Sequence, residues 1–339
     1  MLVACAAILL PSTMLARPKT DVVVLDNGDR MTCEIKKLQR GKLTVKTDAF
    51  GTVSVKWSRV TGLSSDYWYQ VELQSGARYI GHIALGNESG QVEIRDIDDE
   101  GRAVDIPRIV EIIPVEASFW SRIKGSVDAG FDFTQASAAT TWSSSAELDY
   151  RVPRFEINLD FSSNIQSQEG AETVNRQSLQ AFYSRYYQGR WYAAALGQAE
   201  KSQNQGLDFR GLFGGGVGRR LVQTNRSRLR VLSGAAFSRE KFEDRSEYES
   251  NAELVGVLAA ETFRFDSPEL DLSAGTAVYV NLKTAGRYRI QATGKARIEI
   301  VKNLYWSFSI YESYDSNPPS ETSRHNDFGM TTSLGWSFN

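Results

Sequence analysis

The chain has 339 residues, 41% of them hydrophobic, a mean hydropathy of −0.35, and 39 Lys plus Arg against 41 Asp plus Glu. That near balance argues against a nucleic-acid partner and against a polybasic membrane anchor. At about 100–200 residues per domain the length admits more than one domain.

The start, "MLVACAAILLPSTMLARPKT", reads as a secretory signal over residues 1–16: an apolar run from Leu2 to Leu10, a Pro-Ser-Thr break and Ala16 as the cleavage point, although the usual positive n-region is missing. "LVAC" imitates a lipobox ending in Cys5, but most of the apolar stretch follows that cysteine instead of preceding it. After cleavage only Cys33 remains, so the fold is expected to stand without an intramolecular disulfide. No later run approaches the roughly 18 apolar residues of a transmembrane helix. An exported chain without such a helix is secreted, periplasmic or an outer-membrane barrel.

Residues 20–115 contain an internal repeat, about 20–63 and 69–114. "DVVVLDNGDRMTCEIKKLQRGKLTVKT" is echoed by "YQVELQSGARYIGHIALGNESGQVEIRD", with Leu25 matching Leu73, Asn27-Gly28 matching Ser75-Gly76 and Ile35 matching Ile83. Each copy predicts an alternating strand, a glycine hairpin and a second alternating strand, then a closing element, "VSVKWSRVTGL" or "AVDIPRIVEII". A pair of small Src-homology-3-like units, or one compact β domain, is the expected architecture of this periplasmic part.

From Trp120 to the end the pattern changes to about twelve long segments with period-two apolar faces, each long enough for a tilted strand to cross a bilayer. In 287–300, Tyr288, Ile290, Ala292, Ala296, Ile298 and Ile300 face one way, and Arg287, Arg289, Gln291, Lys295, Arg297 and Glu299 the other. Similar sets include Leu207/Phe209/Phe213/Val217, Leu254/Leu258/Ala260 and the closing "DFGMTTSLGWSFN". Parity predicts that Tyr150 meets Phe155 and Leu148 meets Ile157 around Val152-Pro153-Arg154, and that Leu282 meets Tyr288 and Val280 meets Ile290 around "TAG". Connections near Pro153, Gln188-Gly189, Ser267-Pro268 and Lys302-Asn303 are short; those near 164–175, 201–206, 239–246 and 314–326 are longer, with 220–226 a long turn on the short side. Arg185 points outward in the fourth segment, implying a bulge, an interfacial position or a shifted register. Aromatics gather towards the short turns (Tyr150, Phe155, Tyr187, Trp191, Phe263, Trp306, Trp336) and towards the long loops (Phe133, Trp142, Phe237, Tyr248, Tyr288, Phe328), as membrane girdles do. The expected fold class is therefore all-β: an antiparallel transmembrane β-barrel of about twelve strands over 120–339, preceded by the small β domain.

"VVVLDNGDRMTCEI…GKLTVKTDAFGTVSVKW" followed by such a barrel resembles the family known as domain of unknown function 481, described as salt-induced outer-membrane proteins. The barrel part of the resemblance spans about 120–339. It implies an outer-membrane location and this architecture, and no reaction.

Candidate chemistry is sparse. A phospholipase-like site needs Ser, His and an orienting polar group; "SRHND" offers Ser323, His325 and Asp327, but adjacent loop residues lack a rigid scaffold, and His82 lies in the other part. "GLFGGGVG" (211–218) has no following Gly-Lys-Ser/Thr and lies mid-strand, so it reads as close packing or a bend. No cofactor or metal site is expected. The informative residues are the lumen-facing charges: basic Arg210, Arg228, Arg230, Arg287, Arg289, Lys295 and Arg297, and acidic Glu147, Asp149, Asp160, Glu249, Glu253 and Glu261. If they meet they plug the lumen with ion pairs; if they stay apart they set a field across a narrow pore. The functional expectation is a non-enzymatic outer-membrane barrel, either a narrow channel or a structural envelope protein, with a docking protein and, behind it, an outer-membrane lipid-modifying enzyme as the alternatives. Its expected partners are outer-membrane lipid, the barrel-assembly machinery during insertion and a periplasmic protein.

Overall fold

The computed structural model describes residues 18–96, 100–115, 122–134, 139–152, 154–168, 174–187, 189–243, 246–265, 268–301, 303–318 and 325–338. The predicted signal, Trp120, Pro153, Gln188, Ser267, Lys302 and Ser323 lie outside the described residues, as does the side chain of Phe133.

Asn27-Gly28 and Ser75-Gly76 do form hairpins, with Gly28 and Gly76 at φ +88° and +82°, where a side chain would be strained. They join β1 (Asp21–Leu25) to β2 (Arg30–Gln39) and β5 (Val60–Leu73) to β6 (Arg78–Leu85). With β3 (Lys42–Thr47), β4 (Gly51–Lys56), β7 (Gln91–Arg95), β8 (Gly101–Asp105) and β9 (Ile109–Pro114) they make one nine-stranded sheet, ordered β4-β3-β2-β1-β5-β6-β7-β8, with β9 pairing β2 and β5. Residues 64–68, between the two predicted repeats, are strand: β5 pairs β1 through its first half and β6 and β9 through its second. Alternate residues of both repeats, including Ile35, Leu38, Leu43, Leu63, Tyr69, Ile109 and Ile112, form a single core. The buried carboxylate of Asp21, against this core, accepts hydrogen bonds from Ser65 Oγ (2.5 Å), Ile35 N (2.7 Å) and Tyr69 OH (3.1 Å), which offsets its desolvation. Cys33 belongs to this core, and burial, with Asp21 and Glu34 nearby, pushes its thiol up to about 12.

The second part is a closed barrel of twelve antiparallel strands. They are β10 (Ile123–Thr134), β11 (Ala139–Arg151), β12 (Phe155–Gln168), β13 (Val174–Tyr186), β14 (Trp191–Ser202), β15 (Leu207–Gln223), β16 (Ser227–Phe242), β17 (Glu249–Arg264), β18 (Leu270–Asn281), β19 (Tyr288–Val301), β20 (Leu304–Asp315) and β21 (Asn326–Phe338). The closing strand pairs Val127 with Trp336 and Ala129 with Leu334, leaving the barrel no free edge. Its outer surface carries a broad apolar belt: Phe213 is 70% exposed and Met330 63%, in company with Leu254, Val280, Phe308 and Leu334. Water does not stabilise such a continuous belt; hydrocarbon does, and the barrel is a membrane-spanning one.

Several details correct the sequence reading. Tyr150 pairs Ile157 and Leu148 pairs Leu159, while Val280 pairs Tyr288 and Val278 pairs Ile290. Both hairpins are slipped by two residues, which widens the turn and keeps every side chain on its predicted face. The 220–226 segment is mostly strand; the turn is Thr224–Arg226, held by Thr224 Oγ1 accepting from the Arg226 and Ser227 amides. Leu207 is fully buried, because the register shifts between Leu207 and Phe209 and turns it inward. Phe263 is also buried, since it shares the inward parity of Glu253 and Glu261. Arg185 faces out in unbroken register, close to Tyr187 and Trp191 at the short-turn rim where a headgroup can meet it. Gly216 sits where a Cβ would lie 2.3 Å from Ser233 O, so the "GGG" run marks a sharply curved, close β15–β16 contact.

Candidate functional site

Odd or even parity fixes which charges enter the lumen, and the structure shows that most of them meet. Towards the long loops, Arg287 Nη2 reaches Asp315 Oδ2 at 2.7 Å and Glu240 Oε2 at 3.0 Å. Arg210 Nε reaches Glu240 Oε1 at 2.7 Å and its Nη1 reaches Glu200 Oε2 at 3.3 Å. Arg289 holds Glu253 in a fork of 2.6 and 3.1 Å. Arg176 on β13 crosses to Asp327 on β21 at 2.8 Å, its guanidinium 3.9 Å from the Tyr311 ring centroid. Except for Arg176, these charges are almost wholly buried, which is sustainable only because each carboxylate is paired and hydrogen-bonded. Glu249 stands on the same inward face at the rim.

At mid-height Lys295 Nζ lies 2.8 Å from Glu147 Oε1 and Arg297 Nη2 lies 3.0 Å from Glu147 Oε2, spanning from β19 to β11. Asp128 on β10 adds a contact of 3.5 Å to Lys295 and accepts from Ser307 Oγ at 2.9 Å. The opposite wall is apolar, built from Phe182, Leu196, Leu212, Leu232 and Val255. Asp160 faces the lumen and stays exposed, and Asp149 accepts from Asn158 Nδ2 at 2.5 Å.

The short-turn mouth is covered by the front sheet. Fully buried Glu72 of β5 accepts from Arg78 Nε (3.0 Å), Gln223 Nε2 (3.0 Å) and Arg220 Nη1. Arg151 pairs Glu111 of β9 at 3.0 Å, and Lys42 pairs Glu269 at 2.7 Å. Tyr186 forms the centre of this joint: the guanidinium groups of Arg151, Arg220 and Arg78 lie 4.1, 4.8 and 5.1 Å from its ring centroid, and its hydroxyl donates to Glu156 at 2.5 Å. The β2–β3 turn, Arg40-Gly41, carries both residues at positive φ, +54° and +72°. That conformation, unusual for arginine, presents Arg40 to Asp271 and to Glu261, which Arg230 also pairs at 3.1 Å. Burial would raise the Glu72 carboxyl, but Arg220, Arg78 and Arg151 outweigh it and hold it down at about 2. Burial lowers the Lys37 amine to about 8.

Of the predicted charges, Arg210, Arg287, Arg289 and Glu253 join the buried cluster, Lys295, Arg297 and Glu147 the central brace, and Arg230 and Glu261 the mouth. Glu200, Glu240 and Asp315 were legible from parity, whereas their front-sheet counterparts Glu72, Glu111 and Arg40 carry no local mark. Of the "SRHND" residues, His325 Nδ1 lies 3.0 Å from Asp315 O, and Asp327, on β21, is engaged by Arg176.

Residues 127–338 match the family model described as "Protein of unknown function, DUF481". No curated protein matches the chain. Among solved structures it is similar to the NanC porin (TM-score 0.39, 9% identity, 64% of this chain and 99% of that one). It is also similar to the translocator domain of autotransporter NalP from Neisseria meningitidis (0.33, 15%, 64% and 86%) and to a bacterial polysaccharide outer membrane secretin (0.34, 10%, 64% and 97%).

Proposed function

The chain belongs to the DUF481 family, and on that premise we propose that it is a non-enzymatic outer-membrane barrel acting as a structural envelope protein, its lumen braced shut and its short-turn mouth capped from the periplasm by the front sheet. The observation that carries this reading is the Lys295–Glu147–Arg297 brace across the lumen, stacked between a buried ion-pair layer and the capped mouth. A porin instead keeps an aqueous path. Planar-bilayer recording on the purified full chain tests it: discrete conductance steps would replace this reading with the narrow channel, and their absence supports it. Insertion through the barrel-assembly machinery and contact with outer-membrane lipid belong to the same proposal.

One observation favours a second reading, docking. β4 and β8 end the sheet path, and every residue of β4 is at least partly exposed, so either strand can accept an added strand from a periplasmic protein. A photocrosslinker at Ser54 that captures no protein in cells would remove it.

A further inference from the structure

Between the front sheet and the barrel mouth lies a cavity of about 30 Å³ whose lining includes Arg151, Arg220, Arg228, Arg230 and Gln223. One water needs about 10–15 Å³ on this scale, so the space suits two waters or one small tetrahedral ion. Its lining sets four arginines against two carboxylates, Glu111 and Glu156. Arg151 is paired with Glu111, Arg220 with Glu72 and Arg230 with Glu261. Among the described residues Arg228 has no carboxylate in ion-pair contact; its guanidinium lies 5.7 Å from the Phe263 ring centroid. Of the two carboxylates that line the cavity, Glu111 is engaged by Arg151, while Glu156 accepts from the Tyr186 hydroxyl and stands 3.8 Å from Arg151 Nη1, beyond hydrogen-bond reach.

Hydrogen bonding is unbalanced in the same place. Arg220 Nε and Arg151 Nη1 are buried without an acceptor, and Gln223 Oε1 is buried without a donor. Arg220 is 7% exposed and Gln223 6%. The Gln223 amide cannot be turned round to resolve this, because its Nε2 donates to Glu72 Oε1 at 3.0 Å. Unmet buried groups of this kind call for a ligand or ordered water.

We infer that this cavity is a binding site for inorganic phosphate, in which the Arg228 guanidinium, Arg220 Nε and Arg151 Nη1 donate to the anionic oxygens and Gln223 Oε1 accepts from the P–OH. The acceptor selects the ligand: hydrogen phosphate carries a proton near neutral pH, whereas sulfate and the phosphodiester of a lipid headgroup carry none. Planar guanidinium groups suit the tetrahedral oxyanion, and a bound ion would tie β5 of the front sheet to the β15–β16 turn through Glu72 and its arginines. The inference is independent of whether the barrel conducts.

Calorimetric titration of the detergent-solubilised full chain in phosphate-free buffer tests the site. Phosphate should bind at least about tenfold more tightly than sulfate, Arg228→Gln should weaken it at least about tenfold, and Gln223→Met should bring the two anions together. Arg226→Gln, exposed on the same turn and outside the cavity lining, should leave binding unchanged. No phosphate binding up to about 10 mM, equal binding of sulfate, or unchanged affinity in Arg228→Gln overturns the assignment. Should Arg228→Gln fail to fold, the phosphate–sulfate comparison on the unaltered chain decides.

Discussion

Lys295 Nζ on β19 lies 2.8 Å from Glu147 Oε1 on β11, four strands away around the twelve-stranded barrel, so one ion pair ties together walls a third of the circumference apart. Glu147 also takes Arg297, and replacing it leaves two cations facing each other. Because its side chain is 35% exposed, the cost falls below that of a fully buried pair. Glu147→Gln should destabilise the folded barrel by about 1–3 kcal/mol in denaturant titration. Adding Lys295→Met should recover part of the loss, with a coupling of at least about 0.5 kcal/mol in a double-mutant cycle. Strict additivity would show that the brace carries no energy.

Glu72 governs the joint at the other end. In the folded chain its carboxyl titrates at about 2, against an ordinary 4.5. A depressed carboxylate adds stability above its unfolded value and loses it as pH falls towards its folded one, so docking should hold above about pH 4.5 and weaken progressively towards pH 2. Glu72→Gln should loosen the front sheet at neutral pH, since Arg220, Arg151 and Arg78 then lose a shared counter-charge, at a cost of about 3–5 kcal/mol. Hydrogen exchange reads this directly: faster exchange across β5 and the turn at 187–190, with the barrel strands unchanged. Protection equal to the unaltered chain would mean that the joint rests on other contacts.

How much of this was legible follows from where the information sits. Period-two alternation is local, so the inward face of β19, the outward face of β21 and the strand count could all be read from spacing alone. A two-residue slip at the Val152 and Leu282 hairpins leaves parity intact, which is why wrong pairs still gave right faces. Leu207 and Phe263 misled for a different reason: apolar type suggests lipid, while a register shift or simple parity sends them inside. Glu72 and Arg220 are 148 positions apart, and each sits in a strand that reads like any solvated alternating strand, so no local pattern announces the joint.

Lys37 offers a test with the opposite sign. Burial lowers its amine from 10.5 to about 8, and Lys124 and Lys42 are close by. Between about pH 8 and 10.5 the unfolded chain binds the proton that the folded chain has released, so stability should rise with pH across that window. At lower pH the buried charge is a standing cost. Lys37→Met should therefore raise the melting temperature at pH 7 and flatten the alkaline rise; a lower melting temperature would show that the amine is a net stabiliser.

Shape and charge can be separated at Gly76. Its φ of +82° disfavours any side chain, and a Cβ there would lie 2.3 Å from Gly189 O in the β13–β14 turn of the barrel. Gly76→Ala adds about 1 kcal/mol of backbone strain within the front sheet and drives a methyl group against the barrel backbone, while every ion pair of the joint keeps its residues. Gly28→Ala, the equivalent hairpin position in the first repeat, meets nothing within 4 Å and carries the strain alone. Gly76→Ala should therefore speed exchange at the 187–190 turn and loosen docking, and Gly28→Ala should destabilise the front sheet slightly without touching the barrel turn. Equal effects from the two substitutions would mean that backbone strain, and not the close approach of the two turns, controls the contact.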